Sequence, residues 1–326
     1  MSKLKRTPSL GTMPNYGSHS SISTIDSPSP TGVSTLNRPA QASQSLYPLC
    51  RNLLDRLRCV KEFEQYLIQG QNAMKNENGS KAGTPTSESG SSNDIAYKDP
   101  VNLLWTTFRL GYPLCALFNA LQPLNPLTVE EERPGTSNKK PKASVYNFLV
   151  ACSKQLNLDP EQTFTISQLY QDDTNGFVKV INTVKLVTDK IEEKGLLDLS
   201  KKQLSRNSDP MKPTDNRARV VQELLETERK YVQDMEVLQN YARELKNQDV
   251  VSADTIHLLF ANLNQLVDFQ RRFLIGVEAM SSESPAEQRF GQLFIQMEEN
   301  FAVYEPFCAN YQSASELVIR ETPNLQ

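Results

Sequence analysis

Histidine is nearly missing from this chain: His19 and His257 are the only two in 326 residues. One falls in a Ser/Thr/Pro-rich tract and the other inside a helical pattern, so most chemistry that needs an imidazole base is excluded. Gly-rich phosphate loops of the Walker or G-x-G-x-x-G kind are absent, and so is H-E-x-x-H, which removes the common nucleotidase, dinucleotide and zinc-peptidase readings. The five cysteines, Cys50, Cys59, Cys115, Cys152 and Cys308, never take C-x-x-C spacing. They read as reduced thiols packed among apolar neighbours, with no disulfide and no metal. No run reaches ~18 consecutive apolar residues and no apolar stretch follows the charged start. The expectation is therefore a cytoplasmic chain with no transmembrane segment. An excess of one charge is also lacking: the net charge is −3, too little to build a field that would gather nucleic acid. No cofactor is expected.

Hydrophobic residues make up 38% of the chain, below the usual ~45–50%, and the dilution is local. Residues 1–45 are rich in Ser, Thr and Pro with few large apolar side chains, so they read as a disordered tail that cannot offset its own ordering entropy. Within it Thr7, Ser27 and Ser29 each precede a proline, where the backbone is extended and open to a proline-directed kinase; they are the phosphorylation candidates. Residues 46–195 carry apolar residues at i, i+3 and i+4 in successive segments, such as Leu49, Leu53, Leu57 and Val60, which predicts one all-helical domain of four to six helices. A low-complexity stretch at 72–93 reads as an insert in that domain. Residues 196–215 lose the periodicity and gain Pro, Asn and Ser, as a linker does. From 216 to 326 the helical pattern returns in three long segments, Arg217 to about Lys246, Ser252 to Met280 and Pro285 to about Tyr311.

In the first of these the apolar stripe passes through Val221, Leu224, Leu225, Val232, Met235 and Leu238, and Glu228 interrupts it. An unpaired buried carboxylate costs several kcal/mol even after relaxation. Glu228 must then reach water at the edge of the stripe or meet a partner from another chain.

The run VVQELLETERKYVQDMEVL, with Thr227, Glu228, Arg229, Tyr231 and Val232, resembles the first conserved region of the Dbl-homology domain, the helical exchange domain of Rho activators. LFANLNQLVDFQRRFL resembles the second long helix of that domain, and FAVYEPFCANYQSA its second conserved region. The earlier segments PVNLLWTTFRLGYPLCALFNALQP, NFLVACSKQL and NGFVKVINTVKLV resemble a calponin-homology domain, most closely the variant of fungal polarity exchange factors. The resemblance implies an all-α chain in which a calponin-homology-like domain precedes the N-terminal part of an elongated Dbl-homology bundle.

What it implies for function is guanine nucleotide exchange on a Rho-family small GTPase in cell polarity, without covalent chemistry. Exchange factors bind the nucleotide-free GTPase better than the loaded form, and that difference drives GDP release. By resemblance, Glu228 is the catalytic glutamate that meets the first switch region, and Thr227 is its neighbour in GTPase binding. The third conserved region would follow Gln326, so little exchange activity is expected of the chain by itself. Polarity scaffold proteins are expected partners, the cell cortex the place of recruitment, and the calponin-like domain is expected to restrain or localise the exchange domain. The competing reading is an actin-binding or adaptor protein that works through the calponin-like domain alone.

Overall fold

The computed structural model describes residues 44–79, 99–129, 139–198, 200 and 215–325. The tail with Thr7, Ser27 and Ser29 lies outside these residues, as do residues 80–93 of the insert and most of the linker. Everything described belongs to one compact unit, Pro39–Gln326. Its helices are α1 (Leu46–Arg58), α2 (Glu64–Gly79), α3 (Pro100–Arg109), α4 (Tyr112–Asn119), α5 (Lys139–Leu156), α6 (Ile166–Tyr170) and α7 (Thr174–Glu193). There follow α8 (Asn216–Asn247), α9 (Ala253–Phe260), α10 (Leu263–Ser282), α11 (Phe290–Gln296) and α12 (Tyr304–Leu325). No strand occurs among the described residues; a single antiparallel bridge joins Val60 to Leu197.

Helices α1–α7 close around one apolar core in which Phe63, Phe108, Phe118, Phe148 and Phe177 are fully buried. Each phenyl ring removed from water in this way contributes roughly 1.5–3 kcal/mol. α3 begins where Asp99 caps it, accepting from the Val101 amide at 2.8 Å, with Pro100 in the first turn, where a missing N–H costs nothing. The Trp105 ring then stacks on Phe177 at 4.3 Å and its indole N–H donates to the Leu169 carbonyl at 2.9 Å, which ties α3 to α6 and α7. Gly70 lets α2 and α3 touch, because a Cβ there would sit 2.0 Å from the Thr107 hydroxyl oxygen. Four of the five cysteines are buried free thiols, and Cys308 is exposed.

Four boundaries differ from the sequence reading. α2 continues to Gly79, through the first part of the stretch read as an insert, because Met74 reaches the core and anchors the extra turn. The start of the stretch read as linker is not loose: Leu196 and Leu197 pack on the same core and the Asp198 amide donates to the Cys59 carbonyl at 2.8 Å. The segment 252–280 is two helices, broken at Ala261 with φ +20° and Asn262, whose amide group donates to the Val303 carbonyl at 2.8 Å. The third segment is broken as well, into α11, a 3-10 stretch Glu298–Val303, and α12. Pro306 fits that restart, since in the first turn of a helix its ring removes no intrahelical hydrogen bond.

Candidate functional site

Helix α8 is set by its cap and its stripe. Asp215 accepts from the Ala218 amide at 2.7 Å, and Val232, Met235 and Leu245 are buried, with Leu224, Leu225, Tyr231 and Leu238 partly covered by α10 and its neighbours. Thr227 is exposed, and its hydroxyl donates back to the Glu223 carbonyl at 2.8 Å, so the side chain is held to the helix surface.

Glu228 is half-buried. One carboxylate oxygen, Oε2, is out of contact with solvent and has no hydrogen-bond partner in the described chain. Burial pushes its carboxyl above the usual carboxylate range. The Glu228 carboxylate thus lies between the two options left by its spacing: it is at the edge of the stripe, yet half of it lacks the water an edge would supply. An unsatisfied buried acceptor of this kind costs about 1–3 kcal/mol.

Across from it stands a small polar cluster from α10 and α12. The Tyr304 hydroxyl donates to that of Tyr231 at 3.3 Å and accepts from the Gln270 amide nitrogen, while the Gln270 carbonyl oxygen is buried without a partner. Burial first, then the Tyr231 hydroxyl and to a lesser degree the Glu228 charge, push the Tyr304 phenol up. The polar ends of Gln270 and Tyr304 make these two residues part of the site's surroundings.

The next residue, Arg229, turns away from Glu228: its Nε donates to Glu278 on α10 at 2.7 Å, and the Glu278 side chain is 2% exposed. Sequence reasoning missed Glu278, although the signal was the same one that marked Glu228, a carboxylate inside the apolar run LIGVEAM. Among the described residues no three His, Cys, Asp or Glu side chains come together as a metal site.

Comparison with known proteins fits this layout. Residues 99–188 match the family described as CDC24 Calponin, and residues 220–326 match the RhoGEF domain family. The chain joins a CDC24-type calponin-homology domain to a RhoGEF domain. Among similar proteins, the Rho guanine nucleotide exchange factor scd1 of Schizosaccharomyces pombe is 37% identical over 282 residues, which is 84% of this chain and 31% of that protein. Cell division control protein 24 of Saccharomyces cerevisiae is 31% identical over 228 residues, 68% of this chain and 26% of that protein. The chain therefore spans less than a third of the length of either relative. A solved structure, autoinhibited Vav1, aligns with 83% of this chain and 51% of its own at 21% identity and a TM-score of 0.31, too distant to bear on how the helices here pack. No described helix is long and apolar enough to cross a membrane.

Proposed function

We propose that this chain acts in guanine nucleotide exchange on a Rho-family small GTPase in cell polarity, with Glu228 as the residue that engages the first switch region and Thr227 beside it. The observation that carries the reading is the Glu228 oxygen that is buried on a RhoGEF-matched helix and has no partner within the chain. A GTPase loop bearing N–H or cationic donors would satisfy that oxygen, and a charge-assisted hydrogen bond formed only with the displaced loop stabilises the nucleotide-free state selectively. No bond of the nucleotide breaks, so the protein regulates a GTPase and performs no covalent step.

The reading extends to residues 46–195 and 216–326 as its two domains, to polarity scaffold proteins as partners, and to recruitment at the cell cortex. Phosphorylation at Thr7, Ser27 and Ser29 would tune these contacts. This wider set is supported by the similarity to scd1 and to cell division control protein 24 and by the Ser-Pro and Thr-Pro pattern.

The test is release of a fluorescent GDP analogue from a polarity-type Rho GTPase. It is run with this chain and with a chimera continued into the scd1 sequence, since the relatives are much longer. Exchange that falls by roughly ten- to a hundredfold on Glu228→Ala, the worth of one charge-assisted hydrogen bond, supports the reading. Silence in both proteins, together with cosedimentation on actin filaments, would move the function to the calponin-homology domain.

A further inference from the structure

Among the described residues, no hydrogen bond joins the N-terminal helices to Thr227 or Glu228. Those helices are linked to the neighbouring residue, Arg229, through Glu278 of α10. Glu278 Oε1 accepts two hydrogen bonds at once, from Arg229 Nε at 2.7 Å and from the Ser45 hydroxyl at 2.6 Å. Ser45 is the residue that begins α1, with the extended backbone of an N-cap (φ −69°, ψ 153°), yet its hydroxyl makes no capping bond to that helix. A serine in this position ordinarily satisfies one of the first amides of its own helix, which stabilises the helix by about 1 kcal/mol. Here that hydroxyl is diverted, across 233 residues of sequence, to a carboxylate of the RhoGEF region.

The carboxylate it reaches is itself unusual. Glu278 is buried, and its second oxygen has no partner, so two donors on one oxygen are all the described chain offers a charge taken out of water. Nearby contacts run between the same two regions. Asp268 on α10 accepts from the Thr174 amide at the start of α7 at 2.6 Å. The Asn175 side-chain oxygen accepts from Arg271 at 2.6 Å and from Gln239 of α8 at 2.9 Å. The N-terminal helices thus reach α8 at two heights, directly from Asn175 at Gln239 and, through Glu278 of α10, at Arg229.

Successive helical side chains leave the axis about 100° apart, so a tether at Arg229 fixes the rotation of α8 and with it the direction in which Glu228 points. We propose that Glu278 is a positioning residue for exchange, joined to Ser45 so that the calponin-homology domain holds the Glu228 carboxylate in its working orientation. This rests on the exchange reading of Glu228. It also replaces simple restraint by that domain with a bracing role.

The experiment uses the whole 326-residue chain in two readouts: amide hydrogen exchange across α8, and binding of a nucleotide-free Rho-family GTPase. Ser45→Ala removes the donor without touching α8, and Ser45→Thr keeps the hydroxyl. The expected result is several-fold faster exchange at 224–235 in Ser45→Ala, restored in Ser45→Thr, with GTPase binding weakened on the order of tenfold. Glu278→Gln should act in the same direction. Loosening confined to the start of α1, with α8 unchanged, would overturn the proposal. Stronger GTPase binding in Ser45→Ala would overturn it too, because the domain would then be restraining exchange. Glu228→Ala separates the two ideas: if it abolishes binding and Ser45→Ala does nothing, the tether fails alone. If Glu228→Ala changes nothing, the exchange reading fails and hydrogen exchange in α8 still decides whether the tether exists.

Discussion

The two halves of the described chain are packed differently. In α1–α7 a single cluster gathers 35 buried apolar residues, whereas the clusters formed by α8–α12 hold four and three. Among the described side chains of α12, Leu317 is the one that is buried, while Tyr311, Val318 and Ile319 are exposed. The first half has the large interior of an ordinary domain, with Ile275 and Ala279 of α10 packed against it. The second is a set of long helices joined along narrow seams, and much of its definition comes from polar contacts such as Arg229 with Glu278 and Asn262 with the Val303 carbonyl. A binding element gains from that arrangement, since side chains not committed to a core remain available to a partner.

The sharpest way to break the contrast is to cut into each half. Phe118→Ala, deep in the first cluster, is expected to cost about 3–5 kcal/mol and to melt α1–α7 in denaturant unfolding, while Tyr311→Ala, on the exposed side of α12, should stay within about 0.5 kcal/mol. Next in size is Gly70→Ala. The Cβ it adds would collide with Thr107, and overpacking of this kind costs about 1–3 kcal/mol, seen as a lower Tm with the same unfolding cooperativity.

Smaller still is Asp268→Ala, which removes the acceptor at the start of α7. A loss of about 1 kcal/mol is expected, with faster amide exchange at the first turn of that helix. A separate set of effects depends on pH. Burial lifts the Asp99 carboxyl to about 6 from an ordinary 3.8, so the folded state resists its ionisation, and stability from this group is present below the unfolded value and lost as pH rises through the folded one. Asp99→Asn, which keeps a capping oxygen, should therefore raise Tm above pH 6 and leave it unchanged below pH 4. Glu228→Gln should show the same sign, with a gain of a few degrees at neutral pH that disappears in acid.

Helical periodicity carried most of the architecture. Leu49, Leu53 and Leu57 lie along α1, but the same spacing carries on to Val60, past the helix end at Arg58; the stripe from Val221 to Leu238 falls within α8. The breaks at Ala261 and before Pro306 were harder to see, because the apolar stripes run straight through them. The first is decided by a bond from Asn262 to a carbonyl some forty residues away, a tertiary effect that no local window contains. Glu228 was legible because a charge in an apolar stripe is anomalous at any distance. Glu278 carried the same anomaly, inside the aliphatic run LIGVEAM, and was overlooked. Ser45 and Asn175 could not have been found: a serine before a helix and an asparagine in its first turn are what capping predicts, and only the fold reveals that they serve another helix.

The Asp268 contact has a consequence for how such a chain can be rebuilt. The first amide of α7 is satisfied by a side chain from beyond the linker, so the two regions meet in their hydrogen bonds at a different place from where they meet in sequence. A recombinant that trades the calponin-homology domain for one from a distant relative inherits a helix whose finishing acceptor lies on the other parent. Shuffling at the linker should therefore succeed only when residues equivalent to Asp268, Arg271 and Glu278 travel with the domain they complete.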